Sequence, residues 1–132
     1  MQLQSTGFSL CFSMQVFENN PPPDTLLTVH VTSDNFSGKS VMDIAFDPFC
    51  SFIHSLSVLY QTLQGTAEIR EPYSSNQHIT FTGDGKGHIR VQGCLQYANQ
   101  SLWFDNTVDQ TSLPPFIKSL KESCAALNRR IP

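Results

Sequence analysis

Near its start the chain alternates: Phe8, Leu10, Phe12, Met14 and Val16 are apolar, with Ser9, Cys11, Ser13 and Gln15 between them. A period of two turns successive side chains to opposite faces, so this segment predicts a strand buried on one side. Asn19, Asn20 and the prolines Pro21, Pro22 and Pro23 end it in a turn or short polyproline loop, too short to link domains. Residues 26–32 repeat the strand pattern, residues 40–46 form a third strand, and residues 35–38 turn between them. These segments predict successive antiparallel strands.

The period then changes. Asp47 suits an N-cap and Pro48 a first helical position, and Phe49, Phe52, Ile53, Leu56, Leu59, Tyr60 and Leu63 recur at helical spacing until Gly65 supplies a stop. The opposite face, Ser51, His54, Ser55, Ser57, Gln61 and Thr62, is polar but uncharged. It suits an ordinary polar surface, or one partly covered by the domain or a partner. Residues 66–71, 77–82, 87–96 and 101–104 then read as short strands separated by Gly, Asn, Ser or Asp clusters. Ile79, Phe81, Ile89, Val91, Leu102 and Phe104 share one parity, leaving His78, Thr80, His88, Arg90, Gln92 and Trp103 for the other face.

Thr111 or Ser112 caps a last helix, opened by Pro114 and Pro115, whose Leu113, Phe116, Ile117, Leu120, Cys124 and Leu127 make one apolar stripe. The order βββαββββα predicts an α+β fold, an antiparallel meander of about seven strands covered by two amphipathic helices. With 132 residues, 39% hydrophobic and 14% charged, the chain suits one domain over residues 1–132 with a real core.

Charge removes one class of function. Eight Lys and Arg stand against eleven Asp and Glu, a formal net charge of -3, with no basic run before Arg129 and Arg130. Direct nucleic-acid binding is not expected, because such binders carry a cationic footprint to exchange for phosphate counterions. No apolar run approaches the roughly 20 residues that span a bilayer, so no membrane partner is expected. The first residues lack a cationic start and a small-residue cleavage site, and a cytoplasmic protein is the expectation. Cys11, Cys50, Cys94 and Cys124 are scattered without C-x-x-C spacing; they could pair as two disulfides, but reduced thiols are expected.

Catalytic patterns are equally sparse. His30, His54, His78 and His88 include no i, i+4 pair and none neighbours a cysteine at finger spacing, so neither a metal nor a cofactor is expected. The run Gly83-Asp84-Gly85-Lys86-Gly87 lacks phosphate-loop spacing and a following helix, and reads as a hairpin loop. There is no G-x-S-x-G elbow, and strand parity sends Glu68 and Glu71 to opposite faces. Asp109, Gln110 and Thr111 suit the free N–H groups of a helix start. A non-enzymatic binding protein is the expectation.

From the first helix onward the chain resembles the WapI-like family of bacterial immunity proteins, which neutralise the toxic C-terminal domains of contact-delivered polymorphic toxins such as Wap and Rhs proteins. The resemblance lies in Leu59-Tyr60, Leu63-Gln64-Gly65-Thr66-Ala67, Gly87-His88-Ile89-Arg90-Val91-Gln92-Gly93, Leu102, Phe104 and Asp109-Gln110-Thr111. It implies an immunity protein that binds one cognate toxin domain stoichiometrically and needs no active site. Many such toxins are nucleases with cationic grooves, toward which a charge of -3 steers weakly.

Charge and parity, not the family, single out Asp34, Asp43, Glu68, Glu71, Tyr73, Asp84 and Trp103 as toxin-interface candidates. Trp103, opposite the core parity, is either an interface anchor or a ring packed under a loop. The rival reading is a structural or adaptor subunit that homodimerises through the uncharged helix face. A third is a hydrolase without a recognisable motif.

Overall fold

The computed structural model of the protein describes residues 1–17, 24–73 and 76–130; the asparagine and proline cluster at 19–23 lies outside them. Eight strands, β1 (Gln2–Ser5), β2 (Phe8–Phe17), β3 (Asp24–Ser33), β4 (Phe36–Asp43), β5 (Gln64–Arg70), β6 (His78–Asp84), β7 (His88–Tyr97) and β8 (Gln100–Asp109), join two helices, α1 (Phe46–Thr62) and α2 (Leu113–Arg130). The class is α+β, as the periodicity predicts. The expected single sheet is instead two four-stranded antiparallel sheets, β1-β2-β3-β4 and β5-β6-β7-β8, split where α1 interrupts the meander.

Three differences from the expected strands have a local cause. The short β1 contributes one buried side chain, Leu3, too little alternation to announce a strand, and a two-residue turn pairs Ser5 with Phe8. The β3–β4 turn is tighter than residues 35–38 suggest: Ser33 pairs with Phe36, and Asp34 adopts φ 52 at the tip. Its N–H donates to Gly7 O at 2.8 Å. Beyond the predicted end at Phe104, β8 continues through polar Asp105, Asn106 and Thr107, because Arg90, Val91 and Gln92 of β7 pair with them.

Both helix ends also shift. The N-cap of α1 is Ala45, extended at φ -70 and ψ 160 and without a side-chain bond, not Asp47. Phe46 begins the helix rather than ending a strand, so Asp47 and Pro48 fall inside the first turn. There Pro48 forfeits no helical hydrogen bond, and Asp47 lies near the positive end of the helix dipole. The stop is Leu63 in the left-handed conformation, φ 62, with Gly65 already in β5. Leu63 O accepts from Gly85 N at 2.7 Å. A Cβ on Gly83 would strike that same carbonyl, so an absent side chain in β6 makes room for the helix end. Where Thr111 or Ser112 is expected to cap the last helix, a 3-10 turn, Gln110–Ser112, runs into α2, and the cap of that turn is Asp109, whose Oδ1 accepts from Thr111 N at 2.9 Å.

The predicted parity holds on the second sheet, where Ile79, Phe81, Ile89, Val91 and Phe104 are buried. The two helices tie the sheets together through aromatic rings. Phe116 of α2 lies 5.5 Å from Phe12 of β2 and 6.3 Å from Phe81 of β6, and Phe52 of α1 lies 6.3 Å from Phe12 and 5.7 Å from Phe81. Cys50 of α1 and Cys124 of α2 form a disulfide, with Cα atoms 6.6 Å apart. This corrects the expectation of reduced thiols: packing of α1 beside α2 brings together cysteines 74 positions apart, which spacing alone does not reveal. Cys11 and Cys94 are free, Cys94 fully buried.

Candidate functional site

The outer face of the second sheet is built by register. One row across it is Glu68, Thr80, Gln92 and Asp105, and the next is Arg70, His78, Cys94 and Trp103. Alternation turns these side chains away from the core, and they satisfy one another. Glu68 accepts from Arg70 Nε and from Thr80 Oγ1, each at 2.9 Å. Arg90 clasps Asp105 with two bonds, Nε to Oδ1 at 2.9 Å and Nη2 to Oδ2 at 2.6 Å.

In the second row the small Cys94 lies between two rings. His78 and Trp103 pair with it from either side, and their rings meet edge to face with centroids 5.9 Å apart. This places Cys94 out of solvent although it has the outward parity, and burial pushes its thiol pKa up. A thiol held in its neutral form is a poor nucleophile. Trp103 itself is 62% exposed, which removes the alternative of a ring packed under a loop.

Electrostatics on this face are balanced in pairs. Partial burial raises the Glu68 carboxyl, but hydrogen bonds from Arg70 and Thr80 and the charges of Arg70 and His78 outweigh it and hold the pKa below the ordinary value. The hydrogen bonds from Arg90 hold Asp105 low. At the β6–β7 hairpin Asp84 Oδ1 accepts from Lys86 N at 2.6 Å and His88 N at 3.1 Å, and the first of these bonds dominates the lowering of its pKa. The glycine-rich run is thus a hairpin loop, as its spacing predicts.

The seven sequence-derived candidates do not form one cluster. Glu68 and Trp103 lie on this outer face, and Asp84 ends it at the hairpin. Asp43 and Glu71 meet where the sheets adjoin, the Asp43 N–H donating to Glu71 Oε2 at 2.7 Å. Tyr73, 64% exposed, follows two residues later, so this junction borders the face at the row of Arg70, His78 and Trp103. Asp34 stands apart at the β3–β4 tip.

Sequence reasoning missed Arg70, His78, Arg90 and Asp105 as members of the site. Parity had already placed His78 and Arg90 beside Trp103, but Asp105 lay beyond the expected strand end. Among the described residues no group of His, Cys, Asp or Glu could hold a metal ion.

A polar, internally paired face around one exposed tryptophan suits recognition of another surface. The sequence profile of the WapI-like immunity protein family matches residues 4–128. The chain belongs to that family. As a WapI-like protein it has the role of an immunity protein, whose partner is a toxin. The match extends through β2, β3 and β4, where residue-level likeness was least evident. Comparison with curated proteins yields no match. Among the described residues no helix of this WapI-like protein is long and apolar enough to cross a membrane.

Proposed function

We propose that the chain neutralises the C-terminal domain of a Rhs- or Wap-type polymorphic toxin by one-to-one binding in the cytoplasm, without making or breaking a bond. The outer face of the second sheet is the docking surface, with Trp103 as its anchor. The observation that carries this is the exposure of Trp103, 62%, on a face whose charges are already paired. A large ring beside satisfied polar groups buries apolar area on binding without stranding a charge, the usual composition of an interface hot spot. A nuclease is the toxin class best matched to the net charge of -3, because a cationic substrate groove attracts an acidic inhibitor. Glu68, Asp84 and, at the border, Asp43, Glu71 and Tyr73 form the rim of this surface, with Asp34 outside it.

The test is co-expression with the toxin domain encoded beside this gene. The wild-type chain protects the cell and co-purifies with the domain in a 1:1 complex. Trp103→Ala weakens the complex on the order of 30-fold, equivalent to about 2 kcal/mol, while the melting temperature stays nearly unchanged. Failure to protect or to co-purify overturns the proposal. Full affinity in Trp103→Ala overturns the choice of face.

A further inference from the structure

Each sheet has two edges, and three of the four are guarded. Along β1 pack α2 and the 3-10 turn, and α1 packs along β5. On β4 the guard is a pair of side chains: Val41 O accepts from Gln77 Nε2 at 2.9 Å, and Asp43 N donates to Glu71 Oε2 at 2.7 Å. The fourth edge, β8, has ten residues, and among the described residues only β7 packs extensively along it. Open edges of this length invite pairing, and proteins ordinarily blunt them with Lys, Pro, a bulge or a covering element. Gln100 to Asp109 contains neither Lys nor Pro, and its register with β7 runs without a bulge.

The register also says which groups are open. Tyr97 and Gln100 flank a two-residue turn and form a hydrogen-bonded pair, so the alternation of an antiparallel ladder commits the even residues of β8 to β7. The N–H and C=O groups of Ser101, Trp103, Asp105 and Thr107 therefore point away from the sheet, as does the N–H of Asp109, whose C=O begins the 3-10 turn. The same rule applied to β4, whose Phe36 flanks the turn with Ser33, turns Val41 and Asp43 outward, where their partners are found. Contacts with the first sheet use the even side chains of β8: Phe104 against Phe8, Asn106 Nδ2 to Ser33 Oγ at 2.7 Å, and Leu102 against Gly38. They cover its inner face and leave the edge.

We infer that the β8 edge receives an extended, cation-bearing segment of the toxin domain as a ninth strand. This rests on the proposed immunity function and names the backbone element that serves it. Charge selects the occupant. The odd side chains of β8 include Asp105 and Asp109 but no cation, so a second copy paired antiparallel offers no opposite charge in any register. With residues 101–109 overlapped, Asp105 faces Asp105, each already clasped by its own Arg90, and Asp109 faces Ser101, so no charge pair forms. Arg90 already clasps Asp105, so the open acid is Asp109, which is in no salt bridge among the described residues; a toxin strand carrying Lys or Arg there gains a charge pair and adds main-chain bonds beside Trp103.

Hydrogen–deuterium exchange on the full chain, alone and with the toxin domain encoded by the adjacent gene, tests this. Expected is slowed exchange of the outward amides of β8 in the complex and none in the free chain at raised concentration. A second measurement uses Thr107→Pro, which removes one outward N–H and leaves the β7 ladder intact. We expect at least 10-fold weaker binding with an unchanged circular dichroism spectrum. A complex with unaltered β8 exchange, or wild-type affinity in a folded Thr107→Pro, overturns the strand addition while leaving the immunity function standing. Protection that rises with concentration of the free chain assigns the edge to a second copy and also overturns it. Absence of any complex overturns both.

Discussion

Gly83 and Asp84 are consecutive residues with unrelated duties, and each leads to a measurable outcome. A Cβ at Gly83 would lie 2.8 Å from the carbonyl carbon of Leu63, a main-chain atom fixed by the α1 end, so Gly83→Ala is expected to cost about 1–3 kcal/mol in chemical denaturation. Asp84, Asp105 and Asp109 all have pKa values lowered in the fold, chiefly by hydrogen bonds from Lys86 N, Arg90 and Thr111 N respectively. A lowered folded value means that the unfolded chain takes up protons first as pH falls. The stabilisation is complete above the unfolded carboxylate pKa of about 4 and is lost as pH falls through the lower folded values. Melting temperature should therefore be flat near neutrality and fall below pH 4, less steeply in Asp84→Asn than in wild type. Of this residue-level detail, the helix-start role of Asp109 was legible in sequence, since short polar side chains there meet free N–H groups, whereas the bonds from Lys86 N and His88 N to Asp84 were not. The need for glycine at 83 was not, because the atom it avoids belongs to another element.

Among elements, strongly periodic segments were legible and weakly apolar ones were not. The core of α1, with Phe49, Phe52, Ile53, Leu56 and Leu59 buried, stands where its spacing puts it. In contrast β1 has a single buried apolar residue, and the second half of β8 has only Val108, so tertiary pairing rather than pattern defines both. The disulfide between α1 and α2 belongs to this scale as well. It closes a separation of 74 residues, and the chain-entropy account allows at most about 4.5 kcal/mol for a loop of that size. Reduction, or Cys50→Ser, is expected to lower the denaturation midpoint while leaving the far-ultraviolet spectrum helical, because Phe52, Leu56, Phe116 and Leu120 remain buried. A midpoint insensitive to reductant would mean that packing alone sets the position of α2.

For the whole molecule, the fold class was readable from element order, whereas the division into two sheets was not. Hydrophobic period distinguishes strands from helices but does not say whether a chain returning from α1 rejoins the old sheet or founds another. The candidate face shows the same limit: parity gathered His78, Arg90 and Trp103, and only the register placed Asp105 and Glu68 among them.

The rings of Phe52 and Phe116 have a thermodynamic consequence of their own. Each touches Phe12 and Phe81, which belong to different sheets, so neither sheet can melt without emptying the pocket that holds the other's aromatic partner. Tryptophan emission, sensitive to the second sheet alone, should then trace the same melting curve as circular dichroism, with calorimetric and van't Hoff enthalpies in agreement. Phe116→Ala, costing about 3–5 kcal/mol, is the substitution expected to pull those two curves apart. A protein that unravels all at once offers a protease no half-open form, and its lifetime is then set by a single global equilibrium.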